Sequence, residues 1–402
     1  MLLQITLFFI LGTIAGILTG LSPGIHINIV GAALVSLSAA VFSSILPLYL
    51  VVFIVAMSIT HSFVDFIPSI FLGAPNEDTA LSVLPGHELL NEGKGYEAVM
   101  LSNYGCLIAI FLLIFLSIPL SFIIPITYPY LTKAMAFILI IFSINLIFIE
   151  KNKFSALLVF ILTGILGFII LNLNESLLAQ PLLPLLSGLF GSSSLLLSIK
   201  QKTKIPQQEI NNKFKIPLKA PLLGSIIASP LCGFLPGLGS GQAAILGNQI
   251  AKTDKRGFIV LIGITNTLVM GFSFISLYLI QKARTGSAVS IQQLIGTISY
   301  KMLMLILIIC LFSGIISFFI TKFLAEIFAG KIDKINYSIL SIFVLIIIFI
   351  VVFIFSGFFG LIILILSTLT GIYCISLGVK RTNMMGCLLI PTILYYLGQQ
   401  IF

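Results

Sequence analysis

Two proline–glycine pairs, Pro23-Gly24 and Pro236-Gly237, interrupt stretches of the chain that are otherwise strongly apolar. Proline cannot donate a backbone hydrogen bond and crowds the carbonyl one turn earlier, so we expect a helix to break at each pair. Inside a bilayer, a broken backbone is tolerated only where it is buried in protein or lines a polar cavity. A helix that starts after such a break presents free N–H groups and a partial positive charge, which suit a carboxylate or a phosphate. The pairs therefore predict an anion site, with a structural kink as the alternative for either pair alone.

A second group of candidates is acidic and lies in the first half of the chain. Asp65 follows an apolar run, and His61 lies one helical turn before it on the same face. A charge at the centre of a membrane helix costs roughly 2.5–3.5 kcal/mol, so a buried Asp65 would be functional, and we expect it to bind a coupling cation or a proton with His61. Asp78, which we place in a re-entrant loop or at its mouth, is a third candidate for the coupling ion. The alternatives are that Asp65 caps a helix at a loop edge and that Asp78 is an exposed loop acid.

Glycines and polar side chains near the breaks complete the candidate substrate site. Arg284 could hold a carboxylate through two hydrogen bonds, although an arginine at a helix end also commonly reaches for the membrane interface. The residues that we expect to bind substrate are Pro23, Gly24, Asn28, Thr79, Pro236, Gly237, Gly239, Ser240, Gly241, Asn266, Thr267 and Arg284.

Membrane helices must position these residues, because 59% of the chain is hydrophobic and 8% is charged, against roughly 45–50% and 25% in soluble domains. A helical span needs about 20 apolar residues, and such stretches recur from Leu2 to Phe402. We expect an all-α integral membrane protein of the cell membrane with about ten to twelve embedded helices, some of them broken or re-entrant. The first apolar stretch, Leu2 to Leu18, lacks a basic start and a cleavage signal, so we expect it to be retained as a helix.

The net charge of +9 does not indicate a nucleic-acid partner, because the basic residues lie in loops rather than on a soluble basic face. The densest basic group lies in a linker that we place at residues 199–219, and short loops rich in Lys and Arg stay cytoplasmic. The five cysteines have no paired or metal-like spacing, and the three histidines are scattered, so we expect buried thiols and no metal site. We expect no cofactor other than Na⁺ or H⁺ as the coupling ion.

The linker divides the chain into two transmembrane repeats, residues 1–198 and 220–402, which carry the same landmarks in the same order. In transporters such repeats commonly have inverted topology, with the substrate site at their interface. We expect inverted repeats here, which requires an odd number of spans in each half. After the proline–glycine pairs, the matched landmarks are Ile59–Val64 with Ile264–Val269, Leu162–Ile165 with Leu369–Ile372, and Pro184 and Gly191 with Pro391 and Gly398.

Taken together, these residues resemble the large membrane subunit of the tripartite tricarboxylate transporters, in its shorter archaeal-type form. The resemblance covers most of the chain, and its most specific part is Gly73–Ala98. The stretches that carry it are Gly20–Gly24, Gly73–Ala98, Gly233–Gly241 and Gly378–Gly386 followed by Pro391. The resemblance implies cation-coupled uptake of organic anions such as citrate or other di- and tricarboxylates. It also implies assistance by a small membrane subunit and an extracytoplasmic binding protein.

We therefore predict a permease and not an enzyme: a secondary active transporter that moves a small organic anion by alternating access, coupled to Na⁺ or H⁺. A transporter that flips a lipid-linked phosphate is the alternative, since helix N-termini suit phosphate as well. An intramembrane hydrolase using His61 and Asp65 is disfavoured, because no Ser or Cys nucleophile motif and no metal cluster accompanies them. Besides the anion and the two assisting subunits, the expected partners are membrane lipids and further copies of the chain.

Overall fold

The computed structural model describes residues 2–22, 31, 34–35, 46–73, 79–174, 178, 180–200, 205–211, 213–235, 238–334 and 337–401. Most of these residues are helical, and no strand occurs among them. Eight helices in these ranges are long and apolar enough to cross a membrane. The expected all-α membrane architecture is therefore confirmed.

Seven α-helices of each half are described. The first half contains α1 (Leu2–Leu21), α2 (Pro47–Val64), α3 (Val83–Asn91), α4 (Gly95–Phe148), α5 (Lys153–Leu171), α6 (Leu182–Leu186) and α7 (Ser193–Lys200). The second contains α8 (Lys219–Phe234), α9 (Ser240–Ala251), α10 (Lys255–Leu279), α11 (Gly286–Ile295), α12 (Tyr300–Ala329), α13 (Tyr337–Ser376) and α14 (Gly386–Ile401). Short π-helices lie at Pro68–Leu72 and Ser187–Ser192, and 3₁₀ turns at Ala80–Ser82, Ile332–Lys334 and Arg381–Met385.

Polar caps fix where several of these apolar helices begin. The side chains of Asn152, Asp254, Thr285 and Ser299 accept hydrogen bonds from backbone N–H groups in the first turns of α5, α10, α11 and α12. Each cap satisfies a donor that the first turn of a helix otherwise leaves free. The sequence thus marks helix starts even where hydropathy changes little.

Helix α4 is too long for one crossing, because its 54 residues rise about 80 Å and the hydrocarbon core is about 30 Å thick. The Glu97 carboxylate near its start lies 3.0 Å from the Arg256 guanidinium, and Asn145 near its end donates to Gln249 at 2.9 Å. Arg256 and Gln249 are close in sequence, whereas a straight helix would separate residues 97 and 145 by about 70 Å. Helix α4 must therefore fold back into two arms, and the residues that allow it to bend are Pro119, Pro125 and Pro129.

Helix α13 also consists of two arms. Within it, Gly357 has φ 63° and ψ −163°, a conformation that glycine adopts readily and other residues avoid. Beside this break, the Ser356 hydroxyl donates to the carbonyl of Gln180 at 3.1 Å. With both arms of α4 and α13 counted, the long apolar segments of the described ranges number ten, at the lower end of the expected range.

The linker residues 205–211 and 213–218 define one side of the molecule, which we call the linker face. The Gln208 side chain accepts from the N–H of Gly95 at 2.7 Å and donates to the carbonyl of Leu90 at 3.1 Å. On the same face, Lys255 at the start of α10 lies 2.6 Å from Glu88. The 25 residues of α10 rise about 37 Å, so its end and the start of α11 lie at the opposite face. That the linker face is cytoplasmic stays a prediction.

Matched helices of the two halves run in opposite directions. Helix α10 starts at the linker face, whereas α2 runs toward it, because Ser58 meets Ser287 of α11 at 2.6 Å and Ile70 beyond its end packs on Gly86 of α3. The first arm of α4 starts at the linker face and α12 ends there, where Tyr96 donates to Glu326 at 3.3 Å. These directions are compatible with two inverted repeats.

The two halves also exchange contacts in a reciprocal way. In α5, Gly167 lies against the backbone of Cys387 in α14. In the second arm of α13, Gly371 lies against the backbone of Leu189, between α6 and α7. The last helix of the second half thus packs on a helix of the first half, and the last helical segment of the first half packs on a helix of the second. This exchange too is compatible with the proposed division of the chain into repeats.

The contact between α4 and α10 depends on glycine, because a Cβ added at Gly263 would overlap the carbonyl oxygen of Ser102. We expect Gly263→Val to lower the free energy of unfolding by about 1–3 kcal/mol. The measurement is thermal unfolding in detergent, followed with a thiol-reactive dye because all five cysteines are buried. The matched control is Gly398→Val, since no atom lies within 4 Å of a Cβ there. Equal unfolding midpoints for the two variants would contradict this packing.

Candidate functional site

A cavity of about 460 Å³ lies between the start of α9 and the opposite face. Its polar lining comes from α9, from the connection between α10 and α11, and from α14. We call it the arginine cavity; its polar lining residues include Gly239, Ser240, Gly241, Arg284, Thr285 and Thr392. The structure therefore brings together four residues that the sequence predicts to bind substrate: Gly239, Ser240, Gly241 and Arg284.

Helices α8 and α9 form a hairpin that enters the protein from the linker face and turns inside it. The two helices have 16 and 12 residues, fewer than the roughly 20 of a full span, and their outer ends both lie at the linker face. Gly224 packs against Gly247 across the hairpin, and Gly233 near the tip packs against Phe272 of α10. The start of α9 is therefore held in the interior of the protein.

Two helix N-termini face the arginine cavity. Gly239 is the N-cap of α9, and its N–H donates to the Gln242 side chain at 3.0 Å. Thr285 is the N-cap of α11; its hydroxyl accepts from the N–H of Ala288 at 3.4 Å and lies 2.7 Å from the hydroxyl of Ser273. The first turn of a helix carries amides without partners inside the helix and a partial positive charge. Both helix ends therefore suit an anion.

Arg284 adds a full positive charge to this lining. Its Nη2 donates to the Tyr128 hydroxyl at 2.8 Å, and its guanidinium lies 5.8 Å from the centre of the same ring. Within the described ranges its buried Nε has no hydrogen-bond partner, and no Asp or Glu forms a salt bridge with it. The guanidinium is thus hydrogen-bonded to a neutral hydroxyl, and its Nε–H remains available as a donor to a ligand.

The predicted coupling-ion residues His61 and Asp65 lie deep in the protein, 4% and 1% exposed. His61 Nδ1 is 3.0 Å from the Thr19 hydroxyl, and its Nε2 is 3.9 Å from Asp65 Oδ2. Asp65 is therefore a buried acid and does not lie at an exposed loop edge. Thr19 belongs to α1, so this polar group joins α1 to α2.

Asn266 and Thr267 lie in the contact between the two halves rather than in the lining of the arginine cavity. Asn266 Nδ2 donates to the carbonyl of Ser62 at 3.3 Å, and the Thr267 hydroxyl lies 3.4 Å from the Ser62 hydroxyl. We call the contact of Ile59–Val64 with Ile264–Val269 the central seam. The stretches that match in sequence thus meet in space, a few residues before Met270, which lines the cavity.

Thr79 lies away from the arginine cavity, but its contacts mirror those of Thr285. Its hydroxyl lies 2.6 Å from that of Ser69, and Thr79 precedes the 3₁₀ turn as Thr285 precedes α11. Sequence reasoning missed Thr285 and its partner Ser273. The signal that could have found them is the order of hydroxyl residues: Ser69 and Thr79 follow Ile59–Val64 at nearly the same spacing as Ser273 and Thr285 follow Ile264–Val269.

The remaining predicted site residues lie outside the described ranges. They are Pro23, Gly24, Asn28, Asp78, Pro236 and Gly237. Their roles stay predictions. In the ranges that the structure covers, no group of three or more His, Cys, Asp or Glu residues could hold a metal ion.

A second arginine lies at the linker face, in the 3₁₀ turn between α13 and α14. Arg381 Nη1 donates to the Ser194 hydroxyl, and the His87 ring lies near Arg381 and against Gly73. We call Gly73, His87, Ser194 and Arg381 the linker-face cluster. Burial and the charge of Arg381 lower the pKa of His87 to about 4. Burial lowers the pKa of Arg381 to about 10, with Glu88 acting in the other direction, so at neutral pH Arg381 is charged and His87 is not.

Comparison with known proteins bears on the role of this architecture. A family model described as Tripartite tricarboxylate transporter TctA family matches residues 6–386. An uncharacterized protein of Methanocaldococcus jannaschii is 33% identical over 401 residues, which are 97% of this chain and 98% of that protein. No solved structure matches the chain.

The pKa of His87 predicts a loss of stability in acid. An unfolded chain takes up a proton on this histidine near its ordinary pKa of 6.5, whereas the folded protein does so only near 4. Between these values only the unfolded state gains the proton, so the free energy of unfolding should fall as the pH is lowered. We expect the unfolding midpoint of the wild type to fall more steeply over this window than that of His87→Gln. Parallel curves for the two proteins would show that His87 is not held neutral.

Proposed function

Because the chain belongs to the tripartite tricarboxylate transporter TctA family, we propose that it is the permease of a secondary active transport system for small organic anions. Membership makes it a membrane component of a tricarboxylate transporter, in a family of transporters rather than of enzymes. Together with its candidate spans, it also makes the chain a multi-pass protein of the cell membrane. The finer proposal is that it moves a di- or tricarboxylate by alternating access, coupled to Na⁺ or H⁺.

The arginine cavity is the observation that carries this proposal. It combines two helix N-termini with a guanidinium that has no acidic partner among the described residues. A di- or tricarboxylate carries several negative charges on separate carboxyl groups. Its binding site therefore needs several positively charged or hydrogen-bond-donating groups that approach the anion from different directions. Arg284 supplies a donor fork for one carboxylate, and the starts of α9 and α11 supply backbone donors for others.

The coupling ion is proposed to bind at Asp65. A buried carboxylate beside a histidine and a hydroxyl, as in the contacts of Asp65 and His61 with Thr19, can accept either a proton or a sodium ion. Ser62 lies between His61 and Asp65 in the chain and bonds to Asn266 of the other half. A change of charge at Asp65 therefore acts directly on the central seam, whose two sides are expected to move during alternating access.

The system is proposed to include a small membrane subunit and an extracytoplasmic binding protein, in keeping with the tripartite family. If the linker face is cytoplasmic, as its lysines predict, the arginine cavity lies toward the side on which a binding protein would deliver the anion. The position of the cavity and the charge of the linker therefore support the same direction of uptake.

Removing the charge of Arg284 should impair transport. We expect Arg284→Gln to lower uptake of labelled citrate or succinate by about tenfold or more, because a charge-assisted hydrogen bond contributes about 1.5–3 kcal/mol. The measurement is uptake into proteoliposomes that contain the permease and its partner subunits, under a Na⁺ or proton gradient. Lys301→Gln, at an exposed cation of α12, is the control and should transport normally. Absence of gradient-dependent uptake by the wild type across a panel of carboxylates would overturn the proposed function.

Removing the charge of Asp65 should uncouple transport from the gradient. We expect Asp65→Asn to bind citrate but to accumulate it no further than equilibrium, because the ion would no longer have its carboxylate. Binding by equilibrium dialysis and accumulation in proteoliposomes are measured on the same preparation. Asp333→Asn, at an exposed acid near the end of α12, should behave as the wild type. Accumulation by Asp65→Asn equal to that of the wild type would remove Asp65 from the coupling site.

A further inference from the structure

The reciprocal packing of the two halves brings together, at the linker face, elements that match those around the arginine cavity. The cavity lies where the start of α11, marked by Thr285, meets α14 and the connection between α5 and α6. The matching elements are the 3₁₀ turn after Thr79, the segment of α6 and α7, and the connection between α13 and α14. Two of these matching elements meet through the linker-face cluster, to which α7 contributes Ser194 and the last connection contributes Arg381.

Both arginines are held in the same chemical way. Arg284 donates to the hydroxyl of Tyr128, and Arg381 donates to the hydroxyl of Ser194. In the part of the chain that the structure describes, neither guanidinium forms a salt bridge with an acid. Each is thus a fixed positive charge with a neutral partner, one toward each face of the protein.

Two other cations of the linker face have acidic partners. Lys255 lies 2.6 Å from Glu88, and Arg256 lies 3.0 Å from Glu97. Glu88 acts on the charge of Arg381 from a distance but is itself held by Lys255. Removing a cation from water without a close counter-ion costs free energy. The position of Arg381 therefore suggests a bound anion that is not part of the chain.

The surroundings of Arg381 leave it as the only charge of the linker-face cluster at neutral pH. His87 is neutral there because burial lowers its pKa. Gly73 has φ +65°, and a Cβ at this position would overlap the His87 ring, so the backbone approaches the ring as only glycine permits. The cluster is therefore compact, with a single cationic side chain and a hydroxyl.

We propose that Arg381 binds a carboxylate of the transported anion at the linker face, as Arg284 does toward the opposite face. This inference rests on the proposed function and deepens it. In the course of transport the anion would exchange one guanidinium for the other, each with a planar fork that fits a carboxylate in two hydrogen bonds. The two arginines would thus act on opposite sides of the central seam.

Transport measured separately from each face tests this inference. Right-side-out and everted membrane vesicles expose opposite faces, and in each the half-saturation concentration of labelled citrate is measured by counterflow. We expect Arg381→Gln to raise this concentration by about tenfold or more for entry from the linker face and to leave entry from the opposite face within about twofold. Arg284→Gln should show the converse pattern. Lys380→Gln removes an exposed charge next to Arg381 and should leave both faces as in the wild type.

Two further variants separate anion binding from a purely structural role of Arg381. Ser194→Ala removes the hydroxyl that fixes the guanidinium but keeps its charge, so it should change linker-face half-saturation much less than Arg381→Gln. Arg381→Lys keeps the charge without the fork and should fall between the wild type and Arg381→Gln; it also serves if Arg381→Gln fails to fold. Equal effects of Ser194→Ala and the Arg381 variants would show that the arginine only joins α7 to the last connection.

The outcomes distinguish this inference from the proposed function. Equal changes at both faces in Arg381→Gln, or no change at either face, would overturn the role of Arg381 while wild-type counterflow continued. Absence of counterflow by the wild type with any carboxylate would overturn the proposed function, and this inference with it.

Discussion

Lipid offers no hydrogen bonds, so every part of the backbone that leaves a helix at membrane depth must be enclosed by protein. The hairpin of α8 and α9 shows how the chain meets this constraint. Its two helices lie close enough for Gly224 to contact the backbone of Gly247, and α10 covers the tip where Gly233 meets Phe272. Because the hairpin is enclosed, the start of α9 faces a protein cavity instead of lipid. The anion site is a consequence of how the broken backbone is accommodated.

The same requirement for close approach explains the central seam. Helices α4 and α10 contact each other where Gly105 meets the backbone of Val260 and Gly263 meets that of Ser102. This spacing brings α10 to α2, so that Asn266 can bond to the backbone of Ser62. The small residues thus allow polar groups of the two halves to satisfy one another in the interior. A transporter that alternates between two states needs such a joint, because its bonds can be exchanged without exposing unpaired groups to lipid.

The sequence alone predicts the parts of this architecture that depend on local chemistry. Apolar length predicts the helices, and proline with glycine predicts the hairpin tip beside Gly239. Arg284 and Gly239–Gly241 were expected to share a site, and they do.

Long-range geometry was not predictable in the same way. Apolar runs of α4 are almost continuous across Pro119 to Pro129, so hydropathy does not show that its ends return to one face. Gln208 lies in a linker that reads as polar, yet it is 6% exposed, because its partners are backbone groups of a distant loop. Arg381 lies in a stretch that resembles the family, and only its contact with Ser194 shows that it joins two elements matching those around the arginine cavity.

The neutral partners of the two arginines have an energetic consequence for transport. If Arg284 were paired with a buried carboxylate, an arriving anion would have to displace it and leave a charge unpaired, which costs several kcal/mol. Displacing the Tyr128 hydroxyl, or sharing the guanidinium with it, leaves only a neutral group without its partner, and the hydrogen bond lost contributes about 1.5–3 kcal/mol. The same holds for Ser194 beside Arg381. Binding can then be favourable at each arginine without being so strong that the anion is trapped there. A hydroxyl partner therefore suits a carrier, which must release its substrate as readily as it binds it, whereas a carboxylate partner suits a structural ion pair such as Arg256 with Glu97.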